Sequence, residues 1–111
     1  MLTLDKLREF GADVDDALVH CMNKEDFYIM LVSKTVSDTK LYQLEQQINA
    51  RELSAAFETA HALKGVYANL SLTPLTLPVS EMTELLRSRS DTDYSALMKE
   101  AKTQFRKLCE L

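Results

Sequence analysis

Apolar residues recur every three or four positions along most of this chain, which is the spacing of amphipathic helices. The most regular run predicts a helix from about Glu52 to Leu70. Its apolar stripe consists of Leu53, Ala56, Ala60, Leu63, Tyr67 and Leu70. A spacing that alternates between three and four over this length is typical of the seam of an antiparallel helical bundle.

Shorter runs of the same period predict helices on both sides of this one, and cap residues and breaks give their limits. The first helix is expected from Leu4 to Phe10, between Thr3 and Gly11, and a second segment runs from Asp13 to Cys21. Asn23 is expected to start a third helix, and Ser37 and Asp38 mark a break before a helix through Leu41 and Ile48. Ser90 or Asp91 is expected to start the last helix. Since the connecting loops are short, neighbouring helices are expected to be antiparallel.

The segment that follows the most regular helix predicts a tight turn and one more helix. Residues 71–73 form the turn, and Thr73 followed by Pro74 is typical of a cap and a first helical residue. Pro78 lacks the N–H that would bond to the Pro74 carbonyl. We therefore expect either a kink at Pro78 or a helix that properly begins near Leu77.

The composition supports a helical fold. Two glycines and two prolines in 111 residues leave few places for the turns that a β-rich fold requires. Pattern and composition together predict an all-α fold: an antiparallel up-down four-helix bundle with one or two additional short N-terminal helices that cover one end or side. At this length we expect a single domain over residues 1–111.

Charge and targeting signals exclude several classes of function. A formal net charge of −4, with scattered Lys and Arg, disfavours nucleic-acid binding. No apolar run is long enough to span a membrane and no signal peptide is apparent, so we expect a cytoplasmic protein. Cys21 and Cys109 are then expected to be free thiols. His20 is expected to be structural or exposed, because no His and Cys spacing suits a metal ion, and no cofactor is predicted.

The segment AHALKGVYANL, residues 60–70, carries the candidate chemistry. On a helix, His61, Lys64, Gly65 and Ala68 share one face, about 100° of rotation from the apolar stripe, so the imidazole should point away from the core. A mid-helix glycine costs about 0.5–1 kcal/mol relative to alanine. Gly65 therefore suggests a close approach to the backbone beside the ring. An imidazole, a gap and an ammonium together suit a dianionic phosphoryl group on the ring nitrogen.

The motif HxLKG in this segment resembles the signature of the histidine phosphotransfer domain. The matching residues are His61, Leu63, Lys64, Gly65 and Leu70. The opening FGADVDDALVHCMNKEDFY is similar to the N-terminal part of bacterial single-domain members, so the resemblance spans most of the chain. It implies a four-helix bundle with an extra N-terminal helix, His61 as the phosphorylated residue, and Lys64 and Gly65 as its supporting neighbours.

Two residues depart from the family pattern, and others are secondary candidates. The family usually has glycine where this chain has Ser71, and Pro78 is unusual, so the hairpin after the His61 helix is in question. If that hairpin turns near residue 72, Thr83 lies opposite His61. Thr83 either orients the imidazole through a hydrogen bond or is solvated or bonded to its own backbone. Arg87 could add positive potential one turn further on, or be only solvated.

The resemblance implies a phosphorelay carrier rather than an autonomous enzyme. In this hypothesis a receiver domain of a response regulator or hybrid histidine kinase docks over His61, supplies Mg²⁺ and most catalytic groups, and exchanges a phosphoryl group with the imidazole. The apolar docking residues would be Met22, Phe27 and Ala68. No GxxxxGK[ST] sequence is present to bind a nucleotide. We expect a monomer.

Two alternatives belong to other classes of protein. The chain could be a non-phosphorylated helical interaction module with a degenerate version of this fold, in which Ser71 and Pro78 are signs of drift. It could also be a hydrolase with His61 as nucleophile, although the sequence shows no base and orienting group for such a site. Replacement of His61 by glutamine would separate the carrier from the interaction module.

Overall fold

The computed structural model describes all 111 residues, and every regular element in it is a helix. The seven helices are α1 (Leu4–Phe10), α2 (Val14–His20), α3 (Glu25–Val36), α4 (Lys40–Asn49), α5 (Leu53–Asn69), α6 (Thr73–Arg87) and α7 (Ser95–Cys109). The predicted all-α fold is confirmed. The limits of α1 are also as predicted, because the Thr3 hydroxyl accepts a hydrogen bond from the Lys6 N–H and Gly11 ends the helix with a left-handed φ of 113°.

The last four helices form an antiparallel bundle around one core. Each of α4, α5 and α6 packs against the next helix along the chain. Contacts between α4 and α7 complete the bundle: the rings of Tyr42 and Phe105 lie 6.0 Å apart, and Lys102 pairs with Glu45 at 2.7 Å. All of the predicted α5 stripe is buried except Leu53, which is half-buried. The face of α5 that the stripe leaves outside is the one that carries His61.

The first three helices cover the end of the bundle where α5 turns into α6. The Asp13 N–H donates to the Ser71 carbonyl at 3.0 Å, and His20 Nδ1 lies 3.0 Å from the Asn69 carbonyl oxygen. The Tyr28 hydroxyl donates to the Leu70 carbonyl at 2.9 Å. The expectation that short N-terminal helices cover one end is met, but three helices precede the bundle instead of one or two.

The turn between α5 and α6 keeps the geometry that a glycine would give it. Ser71 adopts a left-handed φ of 53°. The Leu72 N–H donates to the Tyr67 carbonyl and the Ser71 N–H to the Ala68 carbonyl, both at 3.0 Å, which is a Schellman motif. The Ser71 hydroxyl donates to Asp16 Oδ2 at 2.7 Å. These bonds offset the strain of a left-handed serine, so the departure from glycine leaves the hairpin intact.

Helix α6 begins four residues before Leu77, the later of the two starts that the sequence allowed. It starts at Thr73 and runs without interruption through Pro78, so a start near Leu77 is wrong. Thr73 is its first helical residue and not its cap, a position that Leu72 occupies without a side-chain hydrogen bond. The Schellman motif at the end of α5 explains why Leu72 takes the cap position, because its hydrogen bond to the Tyr67 carbonyl fixes Leu72 at the end of the turn.

Two other predicted helix starts are also displaced. Asn23 does not cap α3; it has a φ of 58°, and its N–H donates to the Leu18 carbonyl to close the end of α2. Ser90 and Asp91 do not cap α7, which begins at Ser95. The preceding Asp93 carboxylate accepts a hydrogen bond from the Ser95 N–H instead. Both starts are displaced because of local hydrogen bonds: the Asn23 backbone bonds to the end of α2, and Asp93 takes the position near the start of α7 that Ser90 or Asp91 was expected to fill.

Replacing Tyr28 with phenylalanine is expected to destabilise the fold by about 1–2 kcal/mol, because it leaves the buried Leu70 carbonyl without its hydroxyl donor. Tyr28 is fully buried, and burial raises its pKa from 10.0 to about 12. Urea unfolding measures the change. Tyr42→Phe is the matched control, since the Tyr42 side chain is 39% exposed and should shift the unfolding free energy by less than about 0.5 kcal/mol. Equal effects of the two substitutions would contradict this role of Tyr28.

Candidate functional site

His61 lies in the middle of α5 with its side chain exposed. Lys64 is half-buried one turn further on, and Gly65 and Ala68 are exposed on the same side of the helix. The structure therefore brings together the four residues that the sequence predicted to share a face. This face borders α6, since Lys64 Nζ reaches Glu84 Oε2 at 3.7 Å and Ala68 lines a cleft with Leu77.

The space beside Gly65 is open. A Cβ atom built at this position meets no other atom within 4 Å, apart from its own helix and neighbours. Packing within the chain therefore gives no reason for a glycine here. By contrast, a Cβ at Gly11 would lie 2.9 Å from the Pro74 ring. An alanine at this position would make the helix more stable, and no contact within the chain requires the glycine.

The nearest aromatic neighbour of the imidazole is Phe57, which the sequence analysis did not single out. The centroids of the Phe57 and His61 rings lie 5.7 Å apart with 30° between their planes. The guanidinium carbons of Arg87 and Arg89 lie 5.2 and 5.0 Å from the Phe57 centroid. Phe57 precedes His61 by four residues, so the i, i+4 spacing was the available signal. That both arginines lie over the Phe57 ring could be seen only from how α6 and the residues after it pack against α5.

Glu84 is the second residue that the sequence analysis missed. Its carboxylate pairs with Arg87 through two contacts of 3.3 Å and with Lys64 at 3.7 Å. Hydrogen bonding from Arg87 is the main cause that lowers the pKa of Glu84, and the charges of Arg87 and Lys64 add to it. Glu84 thus holds two of the three cations near the His61 face. Arg87, proposed from the sequence as a source of positive potential, lies at this site.

Thr83 does not occupy the position expected of an orienting residue. Its side chain is fully buried, and its hydroxyl donates to the Val79 carbonyl at 2.7 Å. The prediction that it bonds to the His61 ring is wrong, and the alternative of a backbone-bonded threonine describes it. Glu84, the next residue, projects toward the α5 face instead. One residue corresponds to about 100° of rotation, which turns Thr83 into the core and Glu84 out of it.

The candidate docking residues are exposed but lie on different elements. Met22 and Phe27 lie before and at the start of α3, with 70% and 38% of their surface exposed. Phe27 is followed by Tyr28, whose hydroxyl donates to the Leu70 carbonyl. Leu70 comes nine residues after His61, which is about 13 Å along the helix. Ala68 lies nearer, on the His61 face. The structure thus places these residues toward the end of the bundle that α1–α3 cover.

Other features of the chain bear on which chemistry is possible. No group of three or more His, Cys, Asp or Glu side chains is arranged to hold a metal ion. No helix combines the length and apolar character that crossing a bilayer would require. His20, the other histidine, is exposed and lies against the Asn69 carbonyl at the end of α5. Cys21 and Cys109 are free, the first buried and the second exposed.

The site consists of an exposed histidine on a helical bundle, with an open space at Gly65 and three cations nearby, which is an arrangement suited to an anionic group. Comparison with known proteins identifies the family. Residues 33–110 match the family model described as the Hpt domain. The chain therefore belongs to the Hpt domain family. The match covers α4–α7 and the whole His61 site, and excludes α1, α2 and the start of α3. No curated protein and no solved structure matched the chain.

Membership of this family gives the chain a role in phosphorelay signalling through histidine phosphotransfer. Hpt domains are in general carriers of phosphoryl groups rather than catalysts, and they typically interact with receiver domains. The resemblance that rested on HxLKG is thus confirmed at the level of the family.

Proposed function

We propose that this chain is a phosphorelay carrier that accepts a phosphoryl group on His61 from a receiver-domain aspartyl phosphate and passes it to another receiver. The observation that carries this proposal is the exposed imidazole of His61 on the regular part of α5, next to the open space at Gly65. The ring is accessible to a docked protein, and the backbone beside it is free of side-chain atoms. A phosphoryl group on the ring would fit within this space.

Besides the nucleophilic nitrogen of His61, the transfer step requires only positioning and charge stabilisation from this chain. The lone pair of one ring nitrogen attacks phosphorus, and an N–P bond forms. The bond between phosphorus and the aspartyl oxygen breaks, and the carboxylate of the receiver leaves with the electron pair. The proton on the other ring nitrogen remains on the imidazole or passes to water. The reverse sequence delivers the group to a second receiver.

The cations around His61 are arranged to interact with the transferred group. Lys64 lies one turn from the ring on the same face, and Arg87 lies beside Phe57. Their present partner is Glu84, and both of these pairs are solvent-exposed to a considerable degree. Exposed pairs of this kind contribute little to stability, so the cations can exchange a carboxylate for a phosphoryl group at small cost. Such contacts support the phosphorylated form.

The docking surface would extend from His61 toward the end of the bundle formed by the α5–α6 turn. Ala68 on the same face, and Met22 and Phe27 beyond it, supply apolar surface there. An interface of standard size covers about 800 Å² on each partner, which is wide enough to reach from His61 to Phe27. The receiver would supply the metal ion and most catalytic groups, so this chain has no autonomous catalytic activity in the proposal.

The remaining parts of the proposal concern the state of the protein. The seven helices share one core of 25 buried residues, which supports a single domain over residues 1–111. The two free thiols suit a reducing compartment such as the cytoplasm. We propose that the carrier acts as a monomer, because the surface around His61 has to remain open to the receiver.

Incubation with phosphorylated receiver domains tests this function directly. The expected result is an acid-labile phosphate on the peptide that contains His61, detected by mass spectrometry at neutral pH. The peptide that contains His20 should carry none, because His20 lies on α2 without a lysine and glycine at the same spacing. Phosphate on neither histidine, with a panel of receivers from the same genome, would support an interaction module instead.

A further inference from the structure

We propose that packing against the Phe57 ring, and not a hydrogen bond to a ring nitrogen, fixes the plane of the His61 imidazole for phosphoryl transfer. Phe57 is then a positioning residue for the reaction. This inference rests on the proposed function, since it concerns how the ring is presented to phosphorus. It starts from the ring contact of 5.7 Å between His61 and Phe57.

No side chain of this protein holds the imidazole through a hydrogen bond. The candidate for that role, Thr83, is buried and donates its hydroxyl to the Val79 carbonyl. Glu84 is occupied by Arg87 and Lys64. The orientation of the ring is thus left to its packing contacts, and Phe57 is the aromatic ring in contact with it.

Phe57 is itself held in place from several sides. It is half-buried and packs against the core of the bundle. The Arg89 guanidinium, 5.0 Å from the ring centroid, donates to the Ser54 hydroxyl at 3.0 Å and the Leu86 carbonyl at 2.8 Å. The Arg87 guanidinium, 5.2 Å from the centroid, is fixed by Glu84. A ring with so many fixed neighbours provides a rigid surface for a second ring.

The plane of the imidazole matters because transfer requires attack in line with the breaking bond. The attacking lone pair lies in the ring plane, so rotation of an exposed histidine about its side-chain torsions directs it away from phosphorus. Contact with Phe57 restricts these rotations without engaging either nitrogen. Both nitrogens therefore remain free for the phosphoryl group and for the proton.

Replacing Phe57 with leucine tests the proposal while keeping apolar volume against the core. The rate of transfer from a phosphorylated receiver to His61 is expected to fall by about 3- to 10-fold, the factor that the loss of one aromatic contact corresponds to. Phe57→Tyr, which keeps an aromatic ring at this position, should transfer at the wild-type rate. Tyr42→Leu is the control: it removes another aromatic ring, which lies on α4 and packs on Phe105.

Two further readouts separate ring orientation from a merely structural role. The nuclear magnetic resonance signals of the His61 ring protons should shift in Phe57→Leu and not in Tyr42→Leu, because a neighbouring ring current is lost. Phosphoramidate, a small donor that needs no docking, should phosphorylate His61 at the same rate in wild type and Phe57→Leu. A fall with the receiver alone supports the positioning role. An equal fall with both donors, or an unchanged rate with the receiver, overturns it.

The design also distinguishes failure of this inference from failure of the proposed function. If wild type takes no phosphoryl group from any receiver, the carrier function fails, whereas the histidine signals still report whether Phe57 orients the ring. If Phe57→Leu does not fold, Arg89→Gln replaces it, since Arg89 is exposed and its loss frees one side of the Phe57 ring. That variant should then slow transfer from the receiver, and an unchanged rate overturns the inference.

Discussion

Replacing His61 with glutamine is expected to reduce phosphoryl transfer from a phosphorylated receiver at least 100-fold, to about background, because the substitution removes the only nucleophile of the site. The fold should be retained. The His61 side chain is exposed and makes no hydrogen bond to the core, so the unfolding free energy should change by less than about 0.5 kcal/mol. Transfer assays with labelled receiver and urea unfolding of the same sample measure the two quantities together.

The chain offers a matched control for this substitution in its second histidine. His20→Gln removes an exposed imidazole on α2 that lies against the Asn69 carbonyl, and transfer should remain at the wild-type level. Persistence of transfer in His61→Gln would assign the phosphate to another residue. Retention of receiver binding by a wild-type protein that is never phosphorylated would instead favour the interaction module.

Replacing Gly65 with leucine is expected to stabilise the fold and impair transfer at the same time. A leucine in mid-helix is more favourable than glycine by roughly 0.5–1 kcal/mol, and the first atom of its side chain meets nothing within 4 Å. The rate of transfer from the receiver should fall at least about 10-fold, because interfaces are packed as closely as protein interiors and the added side chain fills the space that the partner needs. Thermal unfolding and transfer assays check both parts.

A graded series and a distant control sharpen the Gly65 result. Gly65→Ala should give most of the gain in stability with a smaller loss of transfer, since it adds a single carbon. Ala96→Leu places the same leucine side chain at an exposed position on the first turn of α7, away from the His61 face, and should leave transfer unchanged. Undiminished transfer in Gly65→Leu would mean that the open space has no part in docking.

The two substitutions probe different parts of one arrangement. In the proposed function, His61 supplies the reacting nitrogen, whereas Gly65 leaves open the space through which the receiver reaches it. The structure makes the second point testable because no contact within the chain explains the glycine. A stability gain combined with a functional loss is the signature of a residue retained for binding rather than for folding.

The sequence predicted the part of the candidate site that lies on α5. Residues His61, Lys64, Gly65 and Ala68 share a face because a helix advances by about 100° per residue, whatever surrounds it. The same local rule predicted which positions of α5 are buried and which are exposed. Phe57 was within reach of this rule as well, because it precedes His61 by four residues, and this spacing was a signal that the sequence analysis did not use.

What lies across from His61 could not be predicted in the same way. The expected hairpin register pointed to Thr83, but its hydroxyl is buried on the Val79 carbonyl, whereas its neighbour Glu84 reaches the His61 face by pairing with Lys64. Adjacent residues on a helix differ by about 100° of rotation, enough to exchange an exposed carboxylate for a buried hydroxyl. The rotation of α6 is set by how Leu75, Val79, Met82 and Leu86 fill the shared core, and this depends on all four helices of the bundle.

The sequence by itself determined the helical content, the buried stripe of α5, the exposed imidazole and the glycine beside it, because each depends on spacing within a single helix. Only the tertiary structure decided that two arginines lie over the Phe57 ring, that Glu84 pairs with Lys64, and that Asp16 supports Ser71 in the turn. These contacts join residues far apart in sequence. Their geometry follows from close packing of the whole core, which no local pattern encodes.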